Sequence, residues 1–457
     1  FFAMSGKAGS ILTGGAYFST QYCMSTFMGV PGSIYHVGYA GMSVSVPGIA
    51  FSMLIPALLV GRRLITLGHR YKMLTMADYL ADRFDSTGIR GLLAVLMLIF
   101  LVSMMGAQTI GGGVIFSTYT GCDEWVGIVV MGITVILYCM AGGIRSVMLT
   151  DLIQGILMVV TAVVTFFVSL KLGGGLEVIN EKLAAMDTNY VSFPGHNNAY
   201  PWQNYVSMIV MWSFFAIGQP HLFTKFFTMK DHKTMFKAVI LGTLGMWFSA
   251  SFIEWCGVTG IISFPGLEGK NSDFVVPLIL QGGLPPLISS LMVAGIFSAG
   301  MSTISSLLLT ATSAASRDIY QKILNRNATD EETWKLSKVI TVVLGIIAIG
   351  IGVMKPGSIF QIVLFAFGGL GIWAAPILLG MYWKRTTTAG VYVGVISAEI
   401  LYVLITLKFT SWSFGFNPLI VAWLFAMIVI ILVSLVTKPV SQETLDRHFA
   451  DLERVKG

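Results

Sequence analysis

The chain has 457 residues, 55% of them hydrophobic and 11% charged, with a mean hydropathy of +0.80 and a formal net charge of +6. Soluble globular chains carry roughly a quarter charged residues, so there is too little charge here to coat a water-facing surface. The excess charge is spread through short loops, which excludes a nucleic-acid face. Cys23, Cys122, Cys139 and Cys256 form neither a disulfide framework nor a metal pattern.

A membrane-crossing helix needs about 20 mostly apolar residues. The apolar blocks between polar breaks predict about twelve such spans. They fall at about 9–30, 38–61, 88–115, 124–142, 148–172, 203–227, 234–263, 284–315, 334–354, 358–382, 387–407 and 415–437. The first carries Gly14-Gly15 and then Ser19-Thr20-Gln21-Tyr22-Cys23, a polar stretch at its middle that predicts a discontinuous helix. In the third, Gly111-Gly112-Gly113 reads as close helix packing. The fifth brings Thr150-Asp151 and Gln154 after a Gly142-Gly143-Ile144-Arg145 turn. A carboxylate at the centre of a bilayer helix costs about 2.5–3.5 kcal/mol on insertion scales, which favours a working role. Asp151 also lies near a helix start, so cap and cation ligand both stand open.

The sixth span carries Gly218-Gln219-Pro220-His221, a second predicted break. Unpaired backbone in hydrocarbon survives where a cavity or ligand satisfies it, and broken helices five spans apart suit inverted repeats. In the eighth, Ala299-Gly300-Met301-Ser302-Thr303-Ile304-Ser305-Ser306 places Ala299, Ser302 and Thr303 on one face. Ser302, Ser305 and Ser306 follow one turn on. Hydroxyl and carbonyl oxygens suit an alkali cation; the same residues also serve helix packing. Glu254 and Glu399 read as paired or water-facing structural carboxylates.

Basic residues alternate between loops. Arg62, Arg63, Arg70 and Lys72, then Lys225, Lys230 and Lys233, then Arg317, Lys322 and Arg326, then Lys384 and Arg385, lie on the side of the tail from Lys438. The opposite loops hold only Lys171, Lys182, Lys270, Lys355 and Lys408. The positive-inside rule then predicts a multi-pass protein of the plasma (cell inner) membrane with a cytoplasmic C-terminus, Lys7 also inside and the 173–201 loop outside. The opening Phe1-Phe2, with no initiator Met, suggests residues before it. No Walker loop, dinucleotide fingerprint or nucleophile elbow is present, so the reading is of a transporter drawing on an ion gradient and not of an enzyme.

Taken together, these elements resemble the sodium:solute symporter family (solute carrier 5 type). The carriers are Met28-Gly29-Val30-Pro31-Gly32, Tyr138 to Gly143 leading into Thr150 to Gly155, and Gly218 to His221 followed by Lys225-Phe226-Phe227. Met301-Ser302-Thr303 and Phe367-Gly368-Gly369-Leu370 complete the set. The resemblance implies an all-α polytopic fold of the LeuT type, a five-plus-five inverted repeat with additional C-terminal helices. The chain would form one membrane domain, 1–457, with repeats at 9–172 and 203–382, two extra spans at 387–437 and a cytoplasmic tail at 438–457. The coupling ion would be sodium (Na+), held by the carbonyls of Ser19 and Tyr22 with Ala299, Ser302 and Thr303. A second sodium site in some relatives, an aspartate with three serines, is matched by Asp151, Ser302, Ser305 and Ser306.

The same resemblance points Gln21, Cys23 and Thr26, with Gln108 and with Trp212, Phe215 and Gln219, toward a central substrate cavity. The proline members carry an aspartate at the position of Gln21, and the Gln108 setting and last two spans look most like the pantothenate type. The implied function is uptake of a small carboxylate-bearing solute, pantothenate or a short monocarboxylate, by alternating access. A sodium/proline or other amino-acid symporter is one alternative and a solute-sensing module another. The implied partners are that solute and the lipid bilayer, with no nucleic acid. The oligomeric state is left open, with a functional monomer as one reading.

Overall fold

The computed structural model describes the backbone of residues 9–141 and 144–454, and the side chains of 9–140 and 149–449. The expected Gly142-Gly143 turn, the Arg145 side chain and Lys7 lie outside the described residues.

Helix α1 (Ser10–Gln21) stops where Tyr22 leaves helical geometry, at φ −80° and ψ 81°. The chain passes Cys23 and re-enters helix as a π-turn, Ser25–Gly29, and then α2 (Val30–Val37). Gly14, by contrast, lies inside α1, where a Cβ would come 2.8 Å from the Ala238 carbonyl. The break is therefore made by the polar stretch, and the glycine serves close helix contact. Next come α3 (Tyr39–Pro56), a π-turn at Ala57–Gly61 and α4 (Arg62–Tyr71), which together form one long span. A short helix, α5 (Met76–Arg83), opens on a capping box of Thr75 and Asp78.

Helix α6 (Thr87–Thr120) is 34 residues long, and its Gly111-Gly112-Gly113 run admits Met24, Met131 and the Glu124 carbonyl at close range. Then follow α7 (Glu124–Ala141), α8 (Ile144–Gly173) and α9 (Leu176–Met186) in the 173–201 connection. Helix α10 (Trp202–Phe214) tightens to a 3₁₀ turn at Phe215–Gly218 and bends by 57° into α11 (Pro220–Thr228). Proline at the first turn of α11 lacks only a donor that no carbonyl needs. Gly218 is required because a Cβ there would collide with the Leu370 carbonyl.

Helices α12 (His232–Ile253) and α13 (Trp255–Ser263) meet at Glu254, whose Oε2 accepts from Ser45 Oγ at 2.5 Å. Beyond α14 (Val275–Gly283), helix α15 (Pro286–Ser313) continues as a π-helical stretch to Leu324. Helices α16 (Asp330–Met354), α17 (Ile359–Gly371), α18 (Ala374–Tyr382), α19 (Thr388–Leu407) and α20 (Pro418–Val436) follow. The tail forms α21 (Gln442–Arg454), where Arg447 and His448 meet Asp82 of α5 at 2.5 and 2.7 Å.

Among the described residues there is no strand, and nine helices are long and apolar enough to cross a membrane, ten with the bent α10–α11 pair. The shorter α7 and the broken first helix complete the expected set. Helix α1, which ends at the first break, and α11, which starts at the second, pack on each other and on α15, so the breaks share the centre of the bundle. One expectation fails: Glu399 is 7% exposed, and neither oxygen has a hydrogen-bond partner among the described residues, so it is neither paired nor water-facing.

Candidate functional site at the helix breaks

Ending α1 at Tyr22 frees its last carbonyls from the helix ladder. Serine and threonine of α15 meet them. Ser302 Oγ donates to the Ser19 carbonyl at 2.8 Å, with Ala299 O at 3.2 Å as the other acceptor within its reach, and Thr303 Oγ1 donates to the Thr20 carbonyl at 3.1 Å. All of these residues are buried. Four of the five residues expected at the first ion site, Ser19, Ala299, Ser302 and Thr303, thus converge; Tyr22 supplies the geometry that ends the helix.

Beyond the break, Met24 N–H donates to Gln108 Oε1 at 2.8 Å. This replaces the carbonyl that an unbroken helix would offer, so Gln108 braces the break. It does not line the cavity beside it. That space has a polar wall of Gln21, Cys23, Ser25, Thr26 and Ser52. Facing it are Trp212, Phe215 and Phe367, with Phe215 and Phe367 ring centroids 4.3 Å apart. Gln21 Nε2 bonds Ser52 Oγ, and its Oε1 has no partner among the described residues. Five expected substrate residues, Gln21, Cys23, Thr26, Trp212 and Phe215, line this space. Gln219 does not: its Nε2 reaches back to the Phe367 carbonyl at 3.5 Å and ties the sixth span to the tenth.

One turn along α15, Ser305 Oγ donates to the Ser302 carbonyl at 2.9 Å. Ser306 Oγ lies 3.1 Å from Thr20 Oγ1, which in turn lies 3.5 Å from Asp151 Oδ2. The fourth member of the group is Lys225 of α11, with Nζ 3.8 Å from Asp151 Oδ2 and 3.4 Å from Ser306 Oγ. Sequence reasoning counted Lys225 with the loop charges, but it is 5% exposed. Its place four residues after His221, on the same face of a helix started by a break, was the available signal. Thr20, Ser25, Ser52 and Phe367 were also missed.

The sequence matches the model of the sodium:solute symporter family over residues 1–398. It is 28% identical over 434 residues to a sodium/pantothenate symporter of Escherichia coli (strain K12), covering 94% of this chain and 88% of that one. It is 27% identical over 429 residues to a sodium/proline symporter of Staphylococcus aureus, covering 90% and 82%. Among solved structures, a Na+-coupled sialic acid symporter in a substrate-bound outward-open state superposes with a TM-score of 0.77 at 22% identity, covering 97% and 93%. Mhp1, a nucleobase-cation-symport-1 family transporter in a closed conformation, gives 0.61 at 13%, covering 97% and 96%.

Proposed function

The chain belongs to the sodium:solute symporter family, and from that premise we propose that it imports a small carboxylate-bearing solute, pantothenate or a short monocarboxylate, with sodium. Its fold is of the LeuT type, shared with Na+-coupled symporters. We assign the inverted repeats to 9–172 and 203–382, with 387–437 as two added spans and 438–457 as a tail. The basic loops and tail face the cytoplasm of a plasma-membrane protein, by the positive-inside rule.

The observation that carries the reading is the bonding of Ser302 and Thr303 to the Ser19 and Thr20 carbonyls, one wall away from the cavity. A single irregular segment serves both ligands. Ser19 and Thr20 face α15, while Gln21 and Cys23 face the cavity. Sodium arriving as cargo turns the two hydroxyl hydrogens away, so that hydroxyl and carbonyl oxygens both offer lone pairs. The segment is then fixed, and with it the polar wall that meets the solute. Each ligand therefore favours the other, and the coupling is reciprocal.

The lining contains no carboxylate: its polar side chains are amide, hydroxyl and thiol, set against aromatic rings with Ile49 and Met246. Ser25 and Thr26 open the second half of the broken helix, whose positive end favours an anion. The sodium/proline relatives match nearly as well, but an amino acid's ammonium would find no anionic partner in this lining. An acid without an amino group fits better.

Uptake of labelled pantothenate, acetate and proline into proteoliposomes, with and without an inward sodium gradient, tests this. Sodium-driven accumulation of pantothenate or acetate is expected. Accumulation of proline alone would reverse the substrate assignment, and binding without accumulation would favour a solute sensor.

A further inference from the structure

Asp151 is completely buried, and the cation nearest its carboxylate belongs to the protein. Lys225 Nζ sits between Asp151 Oδ2, at 3.8 Å, and Ser306 Oγ, at 3.4 Å. Thr20 Oγ1 closes the ring on the other side. Asp151 Oδ1 has no hydrogen-bond partner among the described residues. Asp151 and Ser306 are two of the four residues whose oxygens would hold a second sodium, and the ammonium stands against both.

Charge decides what this group can bind. A carboxylate buried at membrane depth needs one positive charge close by, and Lys225 supplies it. A sodium added to the same oxygens would set two cations against one carboxylate. Unit charges about 4 Å apart at an effective dielectric of about 20 repel strongly enough to weaken binding on the order of a thousandfold. The ammonium is also held loosely. Its two contacts are longer than the roughly 2.7–2.9 Å of a tight charge-assisted bond, so charge and not hydrogen-bond geometry keeps it there. It arrives on α11, the half-helix beyond the sixth-span break, which also packs on α1 and α15.

We propose that Lys225 is a tethered counter-cation standing where a second sodium would bind, so that the chain takes one sodium per cycle. The inference rests on the reading that Ser302 and Thr303 hold the coupling sodium. Equilibrium binding of ²²Na+ to the purified full chain tests it without a solute. The wild-type protein is expected to bind one ion per chain with a Hill coefficient near one. Lys225→Gln is expected to bind two, the second about a thousandfold more tightly than any second ion in wild type. Asp151→Asn combined with Lys225→Gln restores neutrality and is expected to return the count to one. Two ions in wild type, unchanged by Lys225→Gln, would overturn the proposal and leave the first site standing. No sodium bound by any of the three proteins would instead remove the first site, and the proposal with it. Should Lys225→Gln fail to fold, the wild-type count decides: one ion supports the proposal and two defeats it.

Discussion

At the scale of single residues, Ser302 and Thr303 do two jobs with one hydroxyl each. They satisfy carbonyls freed by the end of α1, and they place oxygens around the gap so formed. Removing one such oxygen forfeits a bond of about 0.5–1.5 kcal/mol, so Ser302→Ala or Thr303→Ala should raise the sodium half-saturation of uptake by roughly three- to tenfold. An unchanged sodium dependence in both variants would place the ion elsewhere. Gln21 offers a second test, on the solute side. Gln21→Asp sets a negative charge on the polar wall and should cut uptake of a simple carboxylate by about tenfold or more, through like-charge repulsion. Competition between acetate and proline in the same vesicles reads the change. The α15 residues were legible in sequence because three- and four-residue spacing defines a helix face without knowledge of the rest of the fold. Lys225 was not. Charge near the end of an apolar block normally marks the membrane surface, and only the bend between α10 and α11 carries this position inward.

At the scale of elements, both breaks were foreseeable, since Gly-Gln-Pro and a run of polar residues leave few ways to continue a helix in hydrocarbon. The π-turns and the helices outside the spans were not legible, because they arise from packing that spacing does not encode. Helix α5 shows what they contribute. Asp78 completes its capping box and also meets Arg90 of α6 at 2.8 Å and Arg317 at 3.0 Å. Arg90 reaches on to Asp318 at 2.7 Å, beyond the end of α15. Burial raises the Asp78 carboxyl, but Arg317 and Arg90 outweigh it and hold the group below the ordinary range. A depressed value means stability that is full above the unfolded value, near 4, and lost as pH falls through the folded one. Asp78→Asn should therefore lower the thermal midpoint in detergent by several degrees at pH 7 and flatten its fall in acid, since removing one partner of a buried pair costs about 3–5 kcal/mol. Melting curves from pH 7 to 3 that coincide for both proteins would show the contacts to be without weight.

At the scale of the whole molecule, one cysteine tests the proposed orientation. Cys122 is exposed in the turn between α6 and α7, on the side opposite the basic loops, whereas Cys23, Cys139 and Cys256 are buried. A membrane-impermeant maleimide applied to intact cells should label the protein once and Cys122→Ser not at all; labelling only after lysis would invert the assigned topology.

The stretch from Pro286 to Leu324 runs through the molecule as one rod, with Ser302 and Thr303 near its middle and Arg317 and Asp318 near its end. Sixteen residues of helix separate Ser302 from Asp318, roughly 24 Å. With sodium at the site proposed around Ser302 and Thr303, a lever of that length would make ion affinity a property of both ends. Whatever work is needed to pull Asp318 from Arg90 would then be charged against, or returned to, the grip on sodium. A change at Arg90, which touches no ion ligand, would then retune the sodium concentration at which the transporter runs.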